Sequence, residues 1–345
     1  MYRKFIGIAV VAGIAVAGSA AEARDQIRVV GSSTVYPFAT VVAEQFGKIS
    51  QFKTPVIEST GSGGGLKLFC SGVGVEHPDI TNASRRIKQS EIDKCAKNGV
   101  NDITEIKVGY DGIVLANAKT APVMKITKQQ IFLALAKNIP DGKGGVKEND
   151  NMKWSDIDPS LPASKIEVLG PPPTSGTRDA FAELALEGGC KTFKEIKAMK
   201  KTNKKKYKAV CHGVREDGGY VEAGENDVLI VRKLEANPAA FGVFGFSFLD
   251  QNADKVQGSL IGNVGPTFDA IADGSYPVSR SLYFYVKAAH VGKVPGIKEF
   301  VSTFTSEQMY GPDSILSERG LIPMPDAERA KFRKDAEMMS NNITM

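Results

Sequence analysis

Three times in this chain an apolar, strand-like run ends in a short turn crowded with glycine and hydroxyl residues, and a helix-like run follows at once. In the third instance residues 166–169 read as a strand, Pro173-Thr174-Ser175-Gly176-Thr177-Arg178-Asp179 as the turn, and residues 180–187 as the helix. The first runs from a strand at 26–30 through Gly31-Ser32-Ser33-Thr34-Val35-Tyr36 to a helix at 37–49. The second runs from a strand at 55–58 through Ser59-Thr60-Gly61-Ser62-Gly63-Gly64-Gly65 to a helix at 66–71. Repetition of this order implies α/β architecture with mainly parallel sheets, and in such sheets ligands bind beyond the carboxyl ends of the strands, where these turns lie. The first amides of a helix have no intrahelical partner and carry partial positive charge, so they favour an anion. Glycine admits the ligand close to the backbone, hydroxyls add donors, and a guanidinium such as that of Arg178 adds a full charge with a planar fork. Taken singly, each turn is equally a helix cap or a flexible loop; the repetition is what points to a shared anion site.

The remaining runs suggest two domains, for which 345 residues at 42% hydrophobic and 24% charged are sufficient. Residues 79–83 read as another strand, with Ser84-Arg85-Arg86 at its carboxyl end and a helix at 90–97. Residues 103–118 are apolar and interrupted by Asp111-Gly112, too long for one ordinary strand, and read as a crossing between domains. The small-large alternation of residues 240–246 reads as the return crossing. The expected division is therefore a first lobe of 24–110 plus 246–345 and a second lobe of 111–245. Within them, 126–137, 228–235 and 295–306 read as helices, 282–286 as a strand and 140–151 as a loop. The lysine-dense stretch 191–208 reads as a solvated helix-loop, and the charged chain after Pro323 as peripheral.

Export is written at the N-terminus. Arg3 and Lys4 precede the apolar run 5–17, and Ala21-Glu22-Ala23 meets the small-residue cleavage rule, so residues 1–23 are read as a cleavable secretory signal peptide. The run is short for a membrane span, and no cysteine follows it to carry a lipid anchor. An exported chain can hold disulfides, and its four cysteines permit three connectivities. Cys70 with Cys95 and Cys190 with Cys211 are favoured because each pair falls within one proposed lobe. Metal binding is the weaker reading of these residues, since no C-x-x-C is present and only His212 adjoins a cysteine. A net charge of +5, with aromatics not interleaved among the basic residues, argues against nucleic acid. Hydrolytic chemistry is also poorly supplied. His77, His212 and His290 are in no metal-ligand spacing, Thr60 takes the leading glycine position of G-x-S-x-G before Ser62, and no G-K-[ST] occurs.

Taken in order, Gly31-Ser32-Ser33-Thr34-Val35-Tyr36-Pro37, Thr60-Gly61-Ser62-Gly63-Gly64-Gly65-Leu66-Lys67, Asn82-Ala83-Ser84-Arg85, Thr174-Ser175-Gly176-Thr177-Arg178 and Tyr276-Pro277-Val278-Ser279-Arg280 resemble the motifs of periplasmic phosphate-binding proteins that feed phosphate ABC importers. The resemblance implies a type II periplasmic binding protein fold, two α/β lobes joined by two crossing strands, with inorganic phosphate held between them without metal or cofactor. It implies a monomer in the periplasm whose partner is the ABC permease at the inner membrane. Carried over by position, the phosphate ligands are Ser33, Thr34, Val35, Ser62, Ser84, Arg85, Ser175, Gly176, Thr177 and Arg178. Two departures bear on selectivity. Arg85 stands where some members have an aspartate that accepts the proton of hydrogen phosphate, and Pro171-Pro172-Pro173 occupies the place of an arginine ahead of Ser-Gly-Thr. Arg178 is expected to supply that charge, and Asp111 and Asp179 are the candidate proton acceptors. The alternatives are a receptor for another oxyanion, a sensing or adhesion protein, or an exported phosphate-ester hydrolase.

Overall fold

A computed structural model describes residues 24–224 and 227–343; the signal peptide read at 1–23 lies outside the described residues. Strands β1 (Arg28–Gly31), β2 (Val56–Ser59) and β3 (Ile80–Ala83) run parallel with β1 in the middle. They lead into helices α1 (Tyr36–Ile49), α2 (Ser62–Phe69) and α3 (Gln89–Lys97). The run at 103–118 is one unbroken strand, β4 (Ile103–Ala118), buried along almost its whole length. A strand covered on both faces reads as continuously apolar, and this one is 16 residues long because it serves two neighbourhoods in turn.

The later strands are β5 (Val168–Gly170), β6 (Tyr220–Glu222), β7 (Phe241–Gly245), β8 (Val256–Gly258) and β9 (Ser279–Lys287). Their order in space is β2-β1-β3-β9-β4-β7-β5-β6, with β8 on the end of β4. Residues 103–112 of β4 pair with β9, residues 113–116 with β7 and residues 116–118 with β8, so the strand changes partners at the Asp111-Gly112 step. The sheet is mixed rather than mainly parallel, because β9 is antiparallel to β3 and β4, and β7 and β8 are antiparallel to β4. The strand expected as the return crossing, β7, lies between β4 and β5, and the chain stays beside the last part of β4 through β8.

Other local expectations shift for visible reasons. Helix α2 starts at Ser62, so the glycine run is its first turn rather than a loop ahead of it. A Cβ on Gly65 would fall 2.4 Å from the Gly31 Cα and 2.6 Å from Thr81 Oγ1, which makes glycine a requirement of packing α2 onto β1 and β3. The stretch 140–151 contains half of a small hairpin, Asn138–Pro140 with Val146–Glu148, whose turn is drawn in by Asp141 accepting from the Lys143 and Gly145 amides. The lysine-dense stretch forms helices Lys194–Thr202 and Lys204–His212, which bury Ile196, Tyr207 and Val210 while the lysines face outward.

Both expected disulfides, Cys70–Cys95 and Cys190–Cys211, are formed. Each closes a loop that on the chain-entropy model stabilises by about 3 kcal/mol. The first anchors a small core of Leu66, Phe69, Ile87 and Tyr285, and the second ties the lysine-bearing helices to the main core. The C-terminal chain is not peripheral. Helix Asp326–Met338 lies on β4, where Glu328 accepts from Tyr110 Oη at 2.6 Å and Lys107 Nζ at 2.9 Å, and Arg329 is buried. Asn342 then bonds both the backbone N–H and C=O of Glu105. The composition of this segment is polar, but its ion pairs and amides match groups on the edge it covers.

Candidate functional site

The first and third turns come together. Ser175 caps helix α4 (Gly176–Phe181), its hydroxyl accepting from the Thr177 amide at 3.2 Å, so the helix begins four residues earlier than its apolar pattern suggests. A Cβ on Gly176 would stand 3.5 Å from the Ser33 carbonyl oxygen and 3.7 Å from the Thr34 Cα, ordinary contact distances that set the two turns face to face. Ser33 Oγ donates to Asp179 Oδ2 at 3.0 Å across the same junction. Here lies a cavity of about 450 Å³ whose walls include Ser33, Thr34, Asp111, Ser175, Gly176 and Thr177. Hydroxyls from two strand ends and the opening amides of a helix thus share one hollow, an arrangement suited to an anion.

The second turn is used differently. Ser62 Oγ accepts from the Ser84 amide at 3.0 Å and lies 3.1 Å from the Ser84 hydroxyl, so these two expected ligands engage each other, outside that cavity's lining. Arg85 gives its fork to Glu91 at 2.9 and 2.7 Å. Arg178 donates to the Pro171 carbonyl at 3.0 Å and lies over the Tyr220 ring, 4.2 Å from its centroid. Burial of the Tyr220 hydroxyl pushes it up to about 12, against the pull of Arg178. Val35 is buried, its amide turned to Ser32 Oγ at 3.4 Å. Five of the ten expected ligands, Val35, Ser62, Ser84, Arg85 and Arg178, thus lie outside the cavity's lining, each bonded within the protein.

A charged group outside the ten expected ligands stands behind the cavity, bonded to two of its lining residues. Arg280, on β9, donates through Nε to Asp111 Oδ2 at 3.2 Å, through Nη1 to Glu183 Oε2 at 2.6 Å and through Nη2 to Thr34 Oγ1 at 2.6 Å. Asp111 and Arg280 are direct cross-strand partners in the β4–β9 register. Burial pushes the Asp111 carboxyl above the usual range, more than the Arg280 guanidinium pulls it down. Glu183 sits in a π-helical turn, Ala182–Leu186, that continues α4 toward Cys190. The signal for Arg280 was its membership in the Tyr276-to-Arg280 segment; nothing local in the sequence says that it faces Asp111. Among the described residues no group of three or more potential metal-ligating side chains comes together. The three histidines bond elsewhere, His77 to Ser71, His212 to Glu187 and His290 to Asp79.

Comparison with known proteins gives a consistent result. A model of the PBP superfamily domain matches residues 17–308. Protein SphX of Synechococcus elongatus is 30% identical over 301 residues, covering 86% of this chain and 76% of SphX. The phosphate-binding protein PstS of Staphylococcus saprophyticus is 30% identical over 277 residues, covering 79% of this chain and 73% of PstS. Among solved structures, a possible phosphate binding protein from Planctomyces limnophilus superposes with a TM-score of 0.72 at 26% identity, over 91% of this chain and 98% of that one. An ABC-type phosphate transport receptor from Vibrio cholerae shares the fold, with a TM-score of 0.55 at 21% identity over 87% of this chain and all of that one.

Proposed function

The chain belongs to the PBP superfamily, as a phosphate-binding protein with the type II periplasmic binding fold, and from that premise we propose how it works: it captures inorganic phosphate in the hollow between two lobes and hands it to the permease of an ABC importer. One observation carries the site, the meeting of Ser33 and Thr34 with Ser175, Gly176 and Thr177 around a single cavity. Hydroxyl and amide donors from both sides replace the hydration shell of the anion, and each well-placed donor to a charged group contributes about 1.5–3 kcal/mol. Two lobes that each bring part of the ligand set close when the anion joins them, the hinge motion for which periplasmic binding proteins are known.

Asp111 is the acceptor we assign to the proton of hydrogen phosphate. Its carboxyl lines the cavity, and its raised proton affinity suits it to take a hydrogen bond from a P–OH group. Sulfate has no proton to offer at neutral pH and would meet a repelling oxygen. Strand pairing supports a second lobe that starts where β4 leaves β9, near residue 113, and runs to about residue 261, since Leu260–Ile261 still pairs with Lys125–Ile126. We take the mature protein to be a monomeric periplasmic receptor rather than an enzyme, and the export signal read at residues 1–23 supports its compartment.

Calorimetric titration of the mature chain with phosphate, sulfate, arsenate and molybdate between pH 5 and 8 tests the reading. Phosphate is expected to bind tightest, with arsenate, its isostere, nearest to it. Sulfate binding as tight as phosphate, or no phosphate binding at all, would overturn it.

A further inference from the structure

Arg280 carries one positive charge and faces two carboxylates. Its side chain is only 9% exposed, and three donors go to three different segments: Asp111 on β4, Thr34 in the first turn and Glu183 on the helix that begins at the third turn. The carboxylates differ in what they can do. Asp111 is fixed beside Arg280 by the register of two paired strands. Glu183 approaches from the helix that begins at the third turn, and its side chain is 47% exposed, so it can turn into solvent with little change in hydration. The helix is locally widened into a π turn at this position, and such single-turn insertions recur at functional sites. An oxyanion entering beside Thr34 meets an arginine already matched by more negative charge than it carries. One carboxylate has to give way, and Glu183 is the movable one.

We propose that Arg280 supplies the full positive charge of the anion site and that Glu183 is its built-in competitor, yielding the Nη1 edge when the oxyanion binds and reclaiming it on release. This inference rests on the phosphate reading above. It assigns Arg280 the direct contact and Glu183 a positioning role exerted through Arg280. Because Glu183 and Arg280 come from different elements, the exchange also gives the receptor a means of letting go: the internal carboxylate is at hand to replace the departing ion.

The test is a double-mutant cycle read by calorimetry with inorganic phosphate. Glu183→Gln keeps the shape and removes the competing charge, and it is expected to bind phosphate about fivefold tighter, the scale of a half-exposed ion pair. Arg280→Gln is expected to weaken binding at least about tenfold. Combined with Arg280→Gln, the Glu183→Gln gain should disappear. Arg280→Lys keeps a charge beside Asp111 and guards against a folding failure of the Gln variant; it too should lose affinity and cancel the gain. A wild-type protein that binds phosphate while Glu183→Gln binds equally or more weakly would overturn the inference and leave the phosphate reading standing. A gain that persists without Arg280 would overturn it as well. A wild-type protein that binds no phosphate removes the reading itself, and the inference with it.

Discussion

Arg85 and Arg280 belong to neighbouring strands, one just past the end of β3 and the other on β9, which pairs with β3. Each faces a carboxylate, yet the two pairs are in opposite electrostatic states. Burial pushes the Glu91 carboxyl up, but the bidentate Arg85 fork and the Lys88 amide, at 2.9 Å, outweigh it and hold it below the usual range. Burial pushes the Asp111 carboxyl up too, and there a single 3.2 Å bond from Arg280, with Glu183 adding negative charge nearby, leaves it above that range. The first arginine is satisfied by a partner six residues away on the following helix. The second divides its donors among groups brought in from distant parts of the chain, and its charge is incompletely claimed by any one of them. A guanidinium is useful to a ligand when no single neighbour has matched its fork, and that is a property of the surroundings rather than of the residue.

The largest expected contrast is in phosphate affinity. Arg280→Ala should cost about 2–3 kcal/mol, since a charge-assisted donor is lost, whereas Arg85→Ala should stay within about 0.5 kcal/mol of wild type by calorimetry. Equal losses would mean that Arg85 leaves Glu91 to join the anion, and that the two arginines do not differ in what they offer it.

Stability against pH should separate the same two pairs by sign. The Glu91 carboxyl is depressed in the folded protein, so its contribution is present above its ordinary value near pH 4.5 and fades as pH falls through the folded value. Urea denaturation of Glu91→Gln should therefore show a loss of about 1 kcal/mol at pH 7 that closes below about pH 4. The Asp111 carboxyl is raised, so the wild type loses stability as pH climbs from near 3.8 through its folded value. Asp111→Asn should be neutral or slightly stabilising at pH 7, an advantage that vanishes in acid; a loss at pH 7 as large as that of Glu91→Gln would show that pairing outweighs burial at both sites.

A smaller difference is expected between hydroxyls. Thr177→Ala should weaken phosphate binding by about 1 kcal/mol. Ser62→Ala should leave affinity nearly unchanged and lower stability by about 1 kcal/mol instead, because it strips the Ser84 amide of its partner. Reversal of these two phenotypes would move the anion from the cavity beside Thr177 toward the second turn.

Much of the scaffold was legible from short-range patterns. The strand, turn and helix repeats place β1, β2, β5 and the helices after them, because apolar periodicity and capping chemistry act within a few residues. Ser175 as a cap and the local disulfides follow from the same kind of information. What escaped was set by contacts far along the chain. The glycine run before Leu66 resembles a loop until Gly65 is seen pressed against Gly31 and Thr81. The tail after Pro323 resembles a solvated end until Glu328 is seen holding Lys107 and Tyr110. The continuation past β7 was missed because an isolated three-residue strand such as β8 has too little sequence to announce itself, and its pairing with β4 is what defines it.

By itself the amino-acid sequence determined that this is an α/β protein with hydroxyl-bearing helix starts suited to an anion and with cysteines able to close two loops, since each of these properties resides in residues close together along the chain. Only the tertiary structure decided which of those helix starts share a hollow and which arginine stands there. The bond from Arg280 to Thr34 joins residues 246 positions apart, and that from Arg280 to Asp111 joins residues 169 apart. Such meetings are fixed by strand order and register, which arise when the whole sheet packs and leave no trace in the spacing of the residues they unite.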